Sequence, residues 1–285
     1  MNAPRVEGFF DETTCTATYV VSDGGETAIV DPVLDYDPAS GRTATHSADA
    51  LVDYVRQHDL SVKWLLETHV HADHLSAAQY LQERVGGETA IGRHVAAVQT
   101  TFAEVFHLDG LAVDGRQFDR LFDDGDRFTL GASEGRVMHT PGHTPACVTY
   151  VIGDAAFVGD TLFMPDFGTA RTDFPGGSAA TLYASIRRIL DLPDDTRIYV
   201  GHDYKAPGRD EYRWQSSVAE QKAGNVHVRD GVSEAEFVAF REGRDAELGM
   251  PTLILPSLQV NIRAGNLPEP EANGVRYLRI PIDAL

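Results

Sequence analysis

The chain has 285 residues, 42% hydrophobic and 24% charged, with a formal net charge of −19. That length suits one large α/β domain or two modest ones with a sizeable core, and no apolar run approaches the ~20 residues that a bilayer span requires. So acidic a chain repels phosphates, which argues against nucleic acid and anionic membranes as partners and means that an anionic substrate would need its own local Arg or Lys.

Alternation and β-branched residues predict strands at Cys15–Val21 and Thr27–Val30, then a helix at Ala48–Gln57. Val62–Leu66 is apolar throughout and reads as a central strand, ending at Glu67-Thr68. Helical pattern follows at Leu75–Arg84 and Val95–Val105. The second half predicts strands at Phe128–Leu130, Arg136–His139, Cys147–Ile152, Ala155–Val158 and Arg197–Val200, with a helix at Ala179–Leu190. Another helix fits between Glu211 and Lys222, and one at Glu234–Glu247 starts from a capping box of Ser233 and Glu236. The Pro-rich tail from Pro251 reads as extended, with a hairpin turn at Asn273-Gly274.

Residues that suit a metal follow strands in both halves. His69, His71, Asp73 and His74 lie within one run of six positions. Imidazole nitrogen and carboxylate oxygen suit zinc or iron. A polar helix cap would account for Asp73 but not for three histidines around it. His143 sits in the rigid turn Thr140-Pro141-Gly142-His143-Thr144-Pro145, Asp160 ends an apolar strand, and His202 ends another. A site between two α/β halves is a common place for a ligand. His46, His58, His94, His107, His139 and His227 have no ligand-type spacing and read as surface or satisfied core. Cys15 and Cys147 form no CxxC pair, so a disulfide framework is not expected, and Cys147 reads as a small core residue. The N-terminal stretch carries early acids and no apolar signal core, so a cytoplasmic protein is expected.

The order HxHxDH from His69, then Pro141-Gly142-His143-Thr144, Gly159-Asp160 and Gly201-His202, resembles the metal signature of the metallo-β-lactamase superfamily. The resemblance implies an α/β fold, a four-layer αββα sandwich with the metal at one edge. It implies a single domain over 1–285, with 205–285 as a helical and extended C-terminal extension packed on it.

Finer motifs resemble the persulfide dioxygenase family. They are Thr140–Tyr150, Gly168-Thr169-Ala170-Arg171-Thr172-Asp173-Phe174, Thr181-Leu182-Tyr183 and Gly201-His202-Asp203-Tyr204. The match covers roughly the first three quarters of the chain. Gly168–Arg171 departs from the Gly-Cys-Gly-Arg form of mitochondrial members, and Leu255–Gly265 resembles bacterial branches. The resemblance implies one Fe(II) per chain, with glutathione persulfide and dioxygen converted to sulfite and glutathione. It implies iron ligands His69, His143 and Asp160, a set of two histidines and one carboxylate that leaves open positions. His71, Asp73, His74 and His202 would then orient ligands or hold a second metal, and His202 or Tyr204 would assist proton transfer. Arg171 is the leading substrate anchor, because a guanidinium grips a carboxylate bidentately; a salt bridge with Asp173 or Asp166 is its other reading. Lys205 and Arg263 are further anchors, and Arg241-Glu242-Gly243-Arg244-Asp245 reads as a solvated helix face. A homodimer, common among such folds, is the expected assembly.

Two other readings stay open. With every usual ligand position filled, two zinc ions are permitted, and a glyoxalase II-like hydrolase would use them to make hydroxide for cleaving a thiolester. A non-enzymatic persulfide sensor is the third.

Overall fold

The structure is a computed structural model and describes residues 3–284. Its first half forms a six-stranded sheet from β1 (Arg5–Asp11), β2 (Thr16–Asp23), β3 (Glu26–Val30), β6 (Ser61–Leu66), β8 (Glu88–Gly92) and β9 (Arg120–Phe122), in that spatial order. The second half forms another from β10 (Arg127–Leu130), β11 (Ser133–His139), β12 (Val148–Ile152), β13 (Ala155–Gly159), β14 (Arg197–Val200) and β15 (Gln215–Ser217). A small third sheet joins β5 (Arg42–Ala44), β4 (Val33–Asp37) and β7 (Leu75–Ser76).

The two large sheets face each other across Tyr19, Val21, Leu66, Phe122, Phe128, Tyr150 and Phe157, all buried. Burying each such side chain contributes about 1.5–3 kcal/mol, so this layer holds the halves together. On the outer face of the first sheet lie α1 (His46–Gln57) and α2 (Ala78–Val85), which place Leu51, Val55 and Leu81 in a second core with Ile29 and Leu65. On the outer face of the second lie α4 (Ala179–Leu190), α5 (Val218–Gly224) and α6 (Glu234–Asp245), packed through Leu182, Ile186, Val218 and Phe237 against Val158 and Val200. This is the expected αββα order.

Helices α3 (Val95–Val105) and α7 (Ile254–Asn261) share a further core near the site, with Val98, Phe102 and Leu258 beside Val70. The first sheet has three parallel crossovers, β3 to β6 through α1, β6 to β8 through α2 and β8 to β9 through α3, and the second has one, β13 to β14 through α4. Both sheets therefore end their central strands on the same loop-bearing edge.

Several expectations need correction. Leu75 does not open a helix. Leu75 and Ser76 pair with Leu34 and Val33, and α2 starts at Ala78. The helix expected from Glu211 is replaced by β15, which pairs with β14, and by α5, which a capping box of Ser217 and Glu220 starts later. The tail is not wholly extended, since Ile254–Asn261 is helical. Pro256 is the third residue of that helix, inside the first turn, where no intrahelical N–H bond is lost. Asn273-Gly274 makes a turn closed by Glu271 and Val275, with no strands flanking it. No helix among the described residues is long and apolar enough to cross a membrane.

Candidate metal centre

Central β6 delivers the first group of candidate ligands. After Leu66 the chain runs irregularly through residues 67–74, and His69, His71 and His74 are all buried there. The turn after β11 supplies His143, the end of β13 supplies Asp160 and the end of β14 supplies His202. Main-chain bonds between the sheets register these ends. Ala17 N–H donates to the Gly201 carbonyl and Val148 N–H to the Thr68 carbonyl, both at 2.9 Å. Gly159 has φ +49, and a Cβ there would collide with Thr68 Oγ1, so only glycine lets β13 bring Asp160 beside His69.

The side chains converge in three groups, buried except for the partly exposed Asp73, whose potential ligand atoms lie within 4.8 Å of one another. They are His69–His143–Asp160, His71–Asp73–His74–His202 and Asp31–Glu67–His71. The first is the triad named from the sequence. The second collects the remaining candidates. Asp31 and Glu67 were not singled out, since each is one carboxylate among 43 acids with no motif around it.

Hydrogen-bond directions fix the tautomers. His143 Nδ1 lies 2.8 Å from the Arg171 carbonyl, which can only accept, so the proton is on Nδ1 and the Nε2 lone pair is free. His202 Nδ1 likewise meets the Cys15 carbonyl at 3.2 Å. Asp31 accepts the Thr68 hydroxyl at 2.8 Å, which leaves Thr68 Oγ1 to accept from His69 Nδ1 at 3.0 Å. His71 Nε2 faces the Asp31 and Glu67 carboxylates at 3.0 and 3.4 Å, and its Nδ1 has no hydrogen-bond partner. His69 Nε2, His71 Nδ1, His74 Nε2, His202 Nε2, Asp73 Oδ2 and Asp160 Oδ1 are all buried without a hydrogen-bond partner.

Such orphaned acceptors are costly unless a cation joins them. His202 Nε2 stands 3.1 Å from Asp73 Oδ2 and 3.4 Å from Asp160 Oδ1, lone pair against lone pair. The donor set thus fits a metal. Burial and the surrounding imidazoles push the His69 pKa well below 6.5, so it is neutral and ready to ligate. Burial works against protonation of His71 and His202 too, but Asp31 and Glu67 carry His71 well above 6.5, and Asp160 and Asp73 raise His202.

The metal cluster opens on a cavity of about 670 Å³, within the ~300–1,000 Å³ of ligand sites. Phe163, Phe167 and Tyr204 make an apolar wall, and the Tyr204 ring stacks at 5.6 Å on His202. Tyr204 keeps 45% of its surface exposed, but its packing against the site and the nearby Asp73 and Asp160 raise its phenol pKa above the usual value, so it keeps its proton.

The three expected anchors fare differently. Arg171 lines the cavity, but its fork is filled by Asp173, and Nη1 donates to the Gly249 carbonyl at 2.7 Å. The salt-bridge reading therefore describes its side chain. Lys205 is not a lining residue, because its ammonium rests 4.2 Å over the Tyr212 ring. Arg263 caps its own helix by donating to the Gln259 carbonyl, away from the cavity.

Two residues read as bland do line it. His227 is half-buried, with Nδ1 accepting the Thr169 N–H at 3.1 Å. Arg241 is 3% exposed and pairs with Asp245, so that helix face is not solvated. The signal was available in the i,i+4 spacing of Arg241 and Asp245 beside buried Phe237. Asn261 of α7 was also missed. It donates to the His71 and His74 carbonyls and accepts the Ser76 N–H, each at 2.8 Å.

Fold, ligand order and buried donor set together define the class. Residues 11–202 match the model of the metallo-β-lactamase superfamily, and the chain belongs to it. A probable metallo-hydrolase of Burkholderia pseudomallei is 60% identical over 98% of this chain and 99% of that protein. The mitochondrial persulfide dioxygenase ETHE1 of Bos taurus is 33% identical over 90% of this chain and 87% of that protein. The crystal structure of ETHE1 from Myxococcus xanthus superposes with a TM-score of 0.73 at 31% identity, covering 92% of this chain and all of that one.

Proposed function

We propose that the protein is a persulfide dioxygenase, oxidising a low-molecular-weight persulfide, with glutathione persulfide as the leading substrate, to sulfite and the thiol. One Fe(II) per chain would be held by His69, His143 and Asp160. The observation that carries this reading is the buried triad of two imidazoles and one carboxylate, its members within 4.8 Å, opening on the cavity. Likeness to the persulfide dioxygenases supports it. Bound there, ferrous iron would supply vacant positions at which a sulfur anion and dioxygen meet, making their reaction effectively intramolecular.

The chain's own residues do the rest. Thr68 and the Arg171 carbonyl keep Nδ1 protonated on His69 and His143, so both present Nε2. Phe163 and Phe167 limit water at the cavity wall. Tyr204, protonated and stacked on His202, can donate a hydrogen bond to an oxygen or sulfur anion in the cavity. In this reading the protein is cytoplasmic and homodimeric, and residues 205–285 extend a single domain.

A binuclear hydrolase is the second reading. It is favoured by the second group, His71–Asp73–His74–His202, and by the name of the Burkholderia relative. Oxygen-electrode assays of iron-loaded protein separate the two. Persulfide-dependent oxygen uptake with sulfite release is expected. Cleavage of S-lactoylglutathione without oxygen, and no uptake with persulfide, would refute the dioxygenase.

A further inference from the structure

Three guanidinium groups line the cavity, and two are fully engaged. Arg171 is held by Asp173 and the Gly249 carbonyl. Arg241 is held by Asp245 and the Thr169 carbonyl. Arg244, on the next turn of α6, lines the same cavity, and its partner is Glu247 at 3.7 Å, with both side chains more than half exposed. Among the described lining residues the acids are Asp73 and Asp160, and both belong to the metal cluster.

We propose that Arg244 is the anion-recognition residue of this cavity, gripping a carboxylate of a small anionic persulfide or thiol. The choice of a persulfide rests on the function proposed above. In a chain of net charge −19 the long-range field repels anions, so recognition needs a local uncommitted cation. A guanidinium suits a carboxylate because its planar fork binds both oxygens.

Position and field both support this. Asp245 accepts from the Thr172 N–H and hydroxyl at 2.8 and 2.9 Å, which ties α6 to the segment that carries Arg171. Arg244 is thus carried on a helix fixed to the cavity wall. The adjoining ring of His227 is held neutral by burial and by Arg241 and Arg244, with its pKa down at about 4. The same positive field favours an anion. With Nδ1 accepting from Thr169, the neutral ring keeps Nε2–H as a second donor.

Calorimetric titration of the iron-loaded full chain with S-methylglutathione, which has no free thiol, tests the arm of the ligand alone. Its diethyl ester removes the carboxylates. Wild type should bind the acid, Arg244→Ala should weaken binding about tenfold or more, and Arg244→Lys should recover part of it. Affinity for the ester should be the same in all three. Equal binding of the acid by wild type and Arg244→Ala, or no binding by wild type, would overturn the proposal. Arg244-dependent binding without persulfide-dependent oxygen uptake would sink the dioxygenase reading and leave the anion site standing. Oxygen uptake with the same KM in Arg244→Ala would do the reverse.

Discussion

The main-chain carbonyl of Arg171 accepts the Nδ1–H of His143 at 2.8 Å, so the ring is aimed by backbone while the Arg171 side chain points its charge at Asp173. Substituting the side chain spares that bond. Arg171→Ala is therefore expected to keep full metal content. Loss of the partly exposed pair with Asp173 and of the Gly249 contact should lower stability by about 1–2 kcal/mol after solvent screening. Metal analysis with a denaturation curve checks this. Loss of metal would show that the carbonyl contact depends on the side chain.

Asn261 reaches the metal loop from α7 and satisfies two carbonyls and one N–H there. Asn261→Asp replaces the donating amide with an acceptor facing the His71 and His74 carbonyls. Metal affinity should fall ~10–100-fold, the usual cost of disturbing contacts behind a metal site, because His71 and His74 lie in the loop that also carries His69. Competition with a chromogenic chelator measures it, and unchanged affinity would remove α7 from the centre.

Gly142 has φ +140, and a Cβ there would collide with the Leu182 backbone at the start of α4. Gly142→Ala must move either α4 or the turn that carries His143. The expected result is destabilisation of about 3 kcal/mol or more together with reduced metal occupancy. A variant with normal melting and normal metal would contradict this packing.

His227 gives a pH prediction. Its pKa lies at about 4 in the fold, against 6.5 for a free imidazole. Between those values the unfolded chain binds a proton that the native ring refuses. Stability therefore falls as pH drops from ~6.5 towards 4, by at most about 3 kcal/mol and less for the solvent the ring keeps. His227→Gln still accepts from Thr169 and lacks this titration. Its urea midpoint relative to wild type should rise between pH 7 and pH 4.5. A constant difference would show that the ring is not held neutral.

The candidate metal cluster was legible because its chemistry is uncommon and local. Three histidines and an aspartate in six positions have few other uses, Asp160 and His202 each come just after a strand, and His143 sits in the Pro-Gly turn after another. The sandwich was implied by the family resemblance that this order of residues carries. What directs those ligands was not legible. Asp31 lies 37 positions before Thr68 and Asn261 lies 190 after His71, and each is an ordinary residue until folding makes it a neighbour. The short strands β4 and β7 escaped notice because their pairing is long-range. Arg241 and Arg244 sit in a charged run that resembles any exposed helix, and only the packing of α6 separates the buried guanidinium from the one held by a single exposed ion pair.

Metal content is the most direct test of the central claim. Protein expressed with iron and zinc both supplied, and purified without oxygen, should carry one iron per chain. His69→Ala and Asp160→Ala should each lose it along with oxygen uptake. Two zinc ions with no iron in the wild type, or normal iron in both variants, would contradict the account.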